Sequence, residues 1–235
     1  MAPTPRQRAR ERTMDEIVRI GREHLATEGA AALSLRAVAR DLGVVSSAIY
    51  RYVASRDELL TLLVIDAYGG LADEVDAALA RRSLAPLDEV AEIARAVRTW
   101  ARREPARYAL LYGSPVPGYH APAERTTEPG TRVVARLIGA LAGADPARRP
   151  PGAHPAPVEE RLGTDLTAVA ASLGHQVDAA VMATGLLAWN AILGAISAEV
   201  FGWYGSEFAA TADQLFDYQL GGVLEMLDRA GVRSG

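Results

Sequence analysis

Residues 34–53, Ser-Leu-Arg-Ala-Val-Ala-Arg-Asp-Leu-Gly-Val-Val-Ser-Ser-Ala-Ile-Tyr-Arg-Tyr-Val, leave a chain few ways to fold. Leu35, Val38, Ala39 and Leu42 recur at i, i+3, i+4 and i+7, the spacing of one helix face. Gly43 follows at once, where a helix end favours a residue that tolerates the left-handed region. Val44 is expected to pack in the turn and Ser46 or Ser47 to open a second helix. Ala48, Ile49 and Val53 would form the inner face of that helix. Ser46, Ser47, Tyr50 and Tyr52 would face outward. Two short helices joined at a glycine, the second with a polar outer face, form a helix-turn-helix, which lays its second helix in the DNA major groove.

The flanks extend this pattern. Thr13 with Glu16 reads as a capping box, and Ile17, Ile20 and His24-Leu25 continue one apolar face up to Gly29. Ser55 with Glu58 reads as a second box, opening a long apolar-periodic helix. A support helix, the helix-turn-helix and a connector helix thus fall within the first sixty or so residues.

On these residues the chain resembles the TetR family of bacterial transcriptional regulators. The resemblance rests on Ser34-Leu35-Arg36, Ala39-x-x-Leu42-Gly43-Val44, Ala48-Ile49-Tyr50-x-Tyr52 and Arg56-x-x-Leu59. Val53 stands where the family usually has Phe, and Arg56 where it usually has Lys, which keeps a cation at that place. Trp189-Asn-Ala-Ile-Leu-Gly194 looks like the Trp-x-x-x-x-Gly helix of one C-terminal subfamily, with Leu193 where His is usual.

The net charge of −4 is unevenly spread. Residues 1–60 carry 10 Arg against 8 acidic residues, and the remainder 15 Arg against 21 acidic residues. Arg6, Arg8, Arg10 and Arg12 form a basic arm, expected to be flexible and placed to meet DNA backbone or minor groove. Such a positive head on an acidic body orients on phosphate by steering. With no cysteine, disulfide and thiol chemistry are excluded. Met1-Ala-Pro-Thr-Pro-Arg lacks an apolar core, so no leader is expected and the location is read as cytoplasmic. Ala179 to Ala198 is uncharged and long enough to span a bilayer. Asp178 and Glu199 flank it without basic anchors, so burial in a core or subunit interface is expected instead of a membrane.

Beyond Ser55 no alternating runs announce strands, and helices are expected near 55–80, 86–103, 105–112, 126–142, 158–172, 177–201 and 206–230. Ser114–Pro122 and Ala144–Pro157 read as loops, the second as a mobile surface loop. The expected organisation is all-α: a flexible arm over 1–12, a helix-turn-helix DNA-binding domain over 13–54, and a helical ligand-binding and dimerisation domain over 55–235. The last two helices, apolar and rich in small residues, read as a homodimer interface over residues 177–230, since operator recognition by this motif normally needs two heads.

No phosphate loop, dinucleotide fingerprint, nucleophile elbow or His-Glu-x-x-His pattern is present, and His24, His120, His154 and His175 do not pair at ligand spacing. No catalytic residue, metal or cofactor is expected. The resemblance implies a regulator, most simply a repressor, that binds palindromic double-stranded operator DNA and is released by a small-molecule effector. The expected DNA contacts are Ser34 as helix cap, Arg36 facing phosphate, Ser46, Ser47 and Ala48 at base edges, and Tyr50, Tyr52 and Arg56 on phosphate. Trp100, Tyr108, Tyr112 and Trp189, with Asn190 as the one amide in an apolar helix, are expected to line a pocket between the connector helix and those bearing the aromatic residues. Tyr119 is a further aromatic candidate. Such a pocket suits an apolar or aromatic effector of few charges. The alternative is a helical small-molecule-binding or catalytic protein with a vestigial DNA-binding head.

Overall fold

Caps and turn glycines divide the chain into ten α-helices, with no strand among the described residues. The computed structural model describes residues 4–81, 83–145, 147, 157–208 and 210–232. The helices are α1 Pro5–Glu28, α2 Leu35–Asp41, α3 Ser46–Ile49, α4 Arg56–Leu79, α5 Pro86–Arg103, α6 Pro105–Tyr112, α7 Ala123–Leu141, α8 Glu160–Ser172, α9 Ala179–Val200 and α10 Ala212–Arg229. Most of the 144–157 loop expected from the sequence, residues 146 and 148–156, lies outside the described residues.

The expected flexible arm is corrected by the structure: residues 5–12 are the first turns of α1. Thr4 and Gln7 form a reciprocal capping box, the Thr4 N–H donating to Gln7 Oε1 at 2.7 Å and the Gln7 N–H to Thr4 Oγ1 at 3.2 Å. Pro5 follows at the first helical position, where its missing N–H costs nothing. Thr13, expected as the cap, is instead a mid-helix residue whose hydroxyl donates to the Ala9 carbonyl at 3.0 Å. α5 and α6 coincide with expectation, whereas the last helix begins at Ala212, six residues later than expected, after a separate 3-10 turn over Ser206–Phe208.

The expected division at residue 54 is also replaced. The chain forms two compact units, one of residues 1–70 with 104–130, the other of 71–103 with 131–235. Helices α4 and α7 each contribute to both. The first unit is built on Ile17, Ile20, Leu25, Leu33, Leu35, Val38, Ile49, Val53, Leu59, Leu60 and Leu63, all buried. It also holds a buried cation. Arg107, 8% exposed, donates to the Asp66 carbonyl at 2.7 Å and pairs with the Asp66 carboxylate at 2.9 Å. A buried charge needs such partners, and Gly70 leaves them room: a Cβ there would lie 2.6 Å from the Arg107 guanidinium.

The second unit packs α9 against α5, α8 and α10. Val181, Ala188, Trp189, Ile192 and Ile196 of α9 are buried, so this helix, the one of the described residues apolar and long enough to cross a membrane, is partly a core helix of its own unit. Asp178 caps it by accepting from the Ala180 and Val181 N–H groups. The Arg98 guanidinium joins Glu199 of α9 at 2.6 Å and Asp213 of α10 at 2.6 Å while stacking 4.7 Å from the Phe216 ring. One arginine of α5 thereby orients both last helices.

Two adjacent glycines of α4 separate packing from propensity. A Cβ at Gly69 meets nothing within 4 Å, so Gly69→Ala is expected to leave stability unchanged or raise it by up to ~1 kcal/mol. Gly70→Ala must displace Arg107 and is expected to lose about 1–3 kcal/mol. Urea unfolding of the two variants measures this, and equal behaviour would contradict the placement of Arg107.

Candidate nucleic-acid interface

The turn between α2 and α3 is set by two hydrogen bonds. The Gly43 N–H donates to the Arg40 carbonyl and the Val44 N–H to the Ala39 carbonyl, each at 3.0 Å. This is the Schellman pattern, and it needs a left-handed residue where Gly43 stands with φ 74°. At the other end of α2, Ser34 Oγ accepts from the Ala37 N–H, although at 3.5 Å. Ile49 and Val53 are fully buried. Their docking turns the opposite face of α3 outward. Ser46 and Ser47 are exposed, Tyr50 is 51% exposed and Ala48 is half-buried. No side chain caps α3, because Val45 stands at its N-cap. Val45 is itself 72% exposed and Val44 37%, so the turn residue expected to pack lies at the surface.

Six of the eight residues expected to meet DNA are at least partly accessible: Arg36, Ser46, Ser47 and Tyr50 exposed, Ala48 and Tyr52 half-buried. Ser34 has the capping role. Arg56 does not fit the expectation of a phosphate contact. Its Nε donates to the Leu33 carbonyl at 3.2 Å, and its NH2 nitrogen to the carbonyls of Ala30 and Ala31 at 2.9 and 3.0 Å. Two of these carbonyls belong to the 3-10 turn Ala30–Ala32 after α1 and one to the residue beyond it, and the guanidinium fork joins all three.

Sequence reasoning missed Arg51 and placed Arg10 in a flexible arm. Arg51, between the two tyrosines, is exposed. Arg10 donates to the Arg51 carbonyl at 3.3 Å and lies 5.3 Å from the Tyr52 ring centroid. The available signal was Thr4-Pro5-Arg-Gln7, a capping box with proline at the first helical position, which starts α1 early enough to bring Arg10 there. His24 Nε2 lies 2.7 Å from Asp41 Oδ2, tying α1 to α2. That hydrogen bond and Arg40 hold the Asp41 carboxyl below its ordinary range.

The residues expected at the effector site divide between the two units. Tyr108 and Tyr112 belong to the first, with ring centroids 5.1 Å apart. Burial beside Tyr68 and Tyr108 raises the Tyr112 phenol, keeping it neutral. Tyr119 joins Thr61 through their hydroxyls at 3.1 Å. Trp100 and Trp189 belong to the second unit and are 1% and 7% exposed. Asn190 corrects the expectation of a buried amide: it is exposed on α9, beside Leu186, Leu187 and Gly194. An amide there is solvated within a single chain, so its place in an apolar helix marks a surface and not a core.

Two family models match this chain. One, described as bacterial regulatory proteins of the tetR family, covers residues 13–63. The other, described as the tetracyclin repressor-like C-terminal domain, covers residues 90–223. The chain is 48% identical over 218 residues to HTH-type transcriptional regulators of Mycobacterium bovis (Mb1846) and Mycobacterium tuberculosis (Rv1816), spanning 91% of this chain and 92% of those proteins. Among solved structures, that of the regulatory protein SCO4313 matches with a TM-score of 0.74 at 32% identity, over 94% of this chain and 100% of the other. The TetR family transcriptional regulator PfmR from Thermus thermophilus shares the fold with a TM-score of 0.53 at 15% identity, over 89% of this chain and 97% of the other.

The geometry of Arg56 yields a prediction of stability. Arg56→Ala leaves three carbonyls without their donor and is expected to destabilise the protein by about 1–3 kcal/mol. Arg56→Lys, lacking the fork, should recover only part of it. Thermal unfolding monitored by circular dichroism checks this, and an unshifted Arg56→Ala melt would return Arg56 to a phosphate-binding role.

Proposed function

Because this chain belongs to the TetR family of bacterial transcriptional regulators and carries the family's helix-turn-helix, we propose that it is a homodimeric repressor which a small molecule releases from operator DNA. Regulation of transcription through DNA binding is the family's activity, and members are generally not enzymes. The observation that carries the reading is the face of α3: Ser46, Ser47 and Tyr50 stand exposed beside a turn fixed by Gly43. We assign Ser46, Ser47 and Ala48 to base edges, Ala48 by apolar contact, and Arg36, Tyr50 and Tyr52 to phosphate. A cytoplasmic location goes with this reading. Arg56 is left out of the contact set.

A dimer through α9 and α10 is supported by what these helices leave uncovered. Leu187 is 52% exposed and Tyr218 83%, and a groove of about 410 Å³ between the helices is lined by Leu187, Ala191, Ile192, Tyr204, Val223 and Met226, among others. Gly194, Gly221 and Gly222 have open space where a Cβ would stand, so another helix can approach closely. Two such pairs form a four-helix interface and set two heads on one duplex. The effector we assign to an apolar or aromatic class. Within the first unit, Tyr112, half-buried beside the fully buried Tyr108, is the residue we place against it. Such a ligand works by binding the DNA-incompetent conformation more tightly.

Two measurements follow. In a mobility shift with a duplex selected by the protein from random-sequence DNA, Tyr50→Phe is expected to weaken binding about 3- to 10-fold, for selected and unrelated duplexes alike, as a lost phosphate hydrogen bond should. Failure of the wild type to shift any duplex would favour the rival reading of a vestigial head. Gly194→Glu places a charge on a face exposed within one chain, so it is expected to yield folded monomers by sedimentation. Leu220, 3% exposed in a single chain, would unfold it instead. A wild type that is monomeric at micromolar concentration would contradict the dimer.

A further inference from the structure

We propose that the first turns of α1 form a second DNA-contacting surface, with Arg6 and Arg12 gripping backbone phosphates beside the major groove that α3 enters. The proposal rests on the DNA-binding reading of α3 and extends it to a part of the chain outside the helix-turn-helix.

Three observations carry it. The segment is a capped helix and not a loose tail, since Thr4 and Gln7 close its first turn on each other. It is also docked against the end of α3, where the Arg10 guanidinium holds the Arg51 carbonyl and covers the Tyr52 ring. Arg6 stands four residues before Arg10, hence on the same helix face and about 6 Å further along the axis. Finally, a groove of about 590 Å³ runs between α1 and the helix-turn-helix, lined by Arg12 and Glu16 on one side and Val44, Ala48, Arg51 and Tyr52 on the other. Ala48 belongs both to this groove and to the face of α3 assigned to bases, so a duplex seated on α3 has its backbone at the groove.

The electrostatics agree. Residues 4–12 carry Arg6, Arg8, Arg10 and Arg12 against Glu11 alone, in a chain whose net charge is −4. Glu16, the acidic residue lining the groove, is already bound by Arg19 at 2.6 and 2.9 Å, which offsets its charge. Arg6 and Arg12 are exposed and make no ion pair among the described residues; Arg12 donates only to the Arg8 carbonyl of its own helix, at 3.3 Å. A preformed helix brings these cations to phosphate without the ordering cost that a loose arm would bear.

Salt dependence of binding tests the proposal, because each neutralised phosphate contributes about 0.9 to the slope of log affinity against log salt. The full chain is titrated by fluorescence anisotropy into a labelled duplex that it has itself selected from a random pool, and into an unrelated duplex of equal length. For the double variant Arg6→Ala, Arg12→Ala, which removes two arginines from each protomer of the dimer, the slope is expected to fall by roughly 2 to 4, with affinity down about 100-fold or more at 0.1 M salt on both duplexes. The ratio between the duplexes should stay constant, since phosphate contacts carry no sequence information. Arg6→Lys, Arg12→Lys should keep the slope, and Arg161→Ala, an exposed arginine on α8, should leave it unchanged. Circular dichroism reports that the helix content is retained. An unaltered slope and affinity in the double alanine variant, with the wild type binding normally, overturns the proposal and leaves the role of α3 standing. An equal change in Arg161→Ala overturns it as well, by making the effect one of overall charge. A wild type that binds neither duplex removes the reading of α3 itself.

Discussion

A helix of four residues has no stability of its own, because fixing its first turn costs more than its few hydrogen bonds return. Ser46–Ile49 is such a helix, and its direction is imposed by Ile49 and Val53, both fully buried among Ile17, Ile20, Val38 and Leu59. Burying an isoleucine is worth roughly 1.5–3 kcal/mol, enough to hold so short an element. The outward direction of Ser46, Ser47 and Tyr50 is the geometric consequence. Around that core the remaining polar devices serve the same end: Gly43 sets the angle of the turn, the Arg56 fork ties α4 to the carbonyls after α1, and His24 ties α1 to α2 through Asp41.

Much of this was legible because it is local. The i, i+3, i+4, i+7 series of Leu35, Val38, Ala39 and Leu42, with Gly43 after it, fixes a helix and its end without any distant contact. The bounds of α5 and α6 were equally readable, since Pro86 and Pro105 announce their first turns. Ambiguity entered where two local signals competed. Thr13 with Glu16 and Thr4 with Gln7 both spell a capping box, and only the proline after Thr4 distinguishes the real one. The surroundings of Arg56 and Asn190 are illegible in the sequence for a different reason. What a guanidinium or an amide meets depends on long-range packing: Arg56 reaches carbonyls more than twenty residues away, and Asn190 lies on the side of α9 that its own unit leaves open. Neither is encoded in the neighbouring residues. The division into two units is illegible for the same reason, since residues 104–130 join the first unit across a gap in sequence.

The charge distribution and the packing of the second unit point the same way. An acidic body discourages nonspecific adhesion to nucleic acid, and in the proposed reading the basic end of the head then orients the protein on a duplex. In the body, the pairing of Arg98 with Glu199 and Asp213 fixes α9 and α10 relative to α5, and with them the open apolar face. In the repressor reading, an effector that alters this helix arrangement alters the spacing of two heads, which is the quantity that a palindromic site measures.

Methylation interference is the most direct test of the central assignment, that the exposed face of α3 lies in the major groove. Dimethyl sulfate modifies guanine N7 in the major groove and adenine N3 in the minor groove, so one reagent distinguishes the two. On a duplex selected by the protein, the account predicts interference at guanine N7 in two symmetry-related half-sites about one helical turn or more apart. Interference confined to adenine N3, or a single site without symmetry, would contradict it.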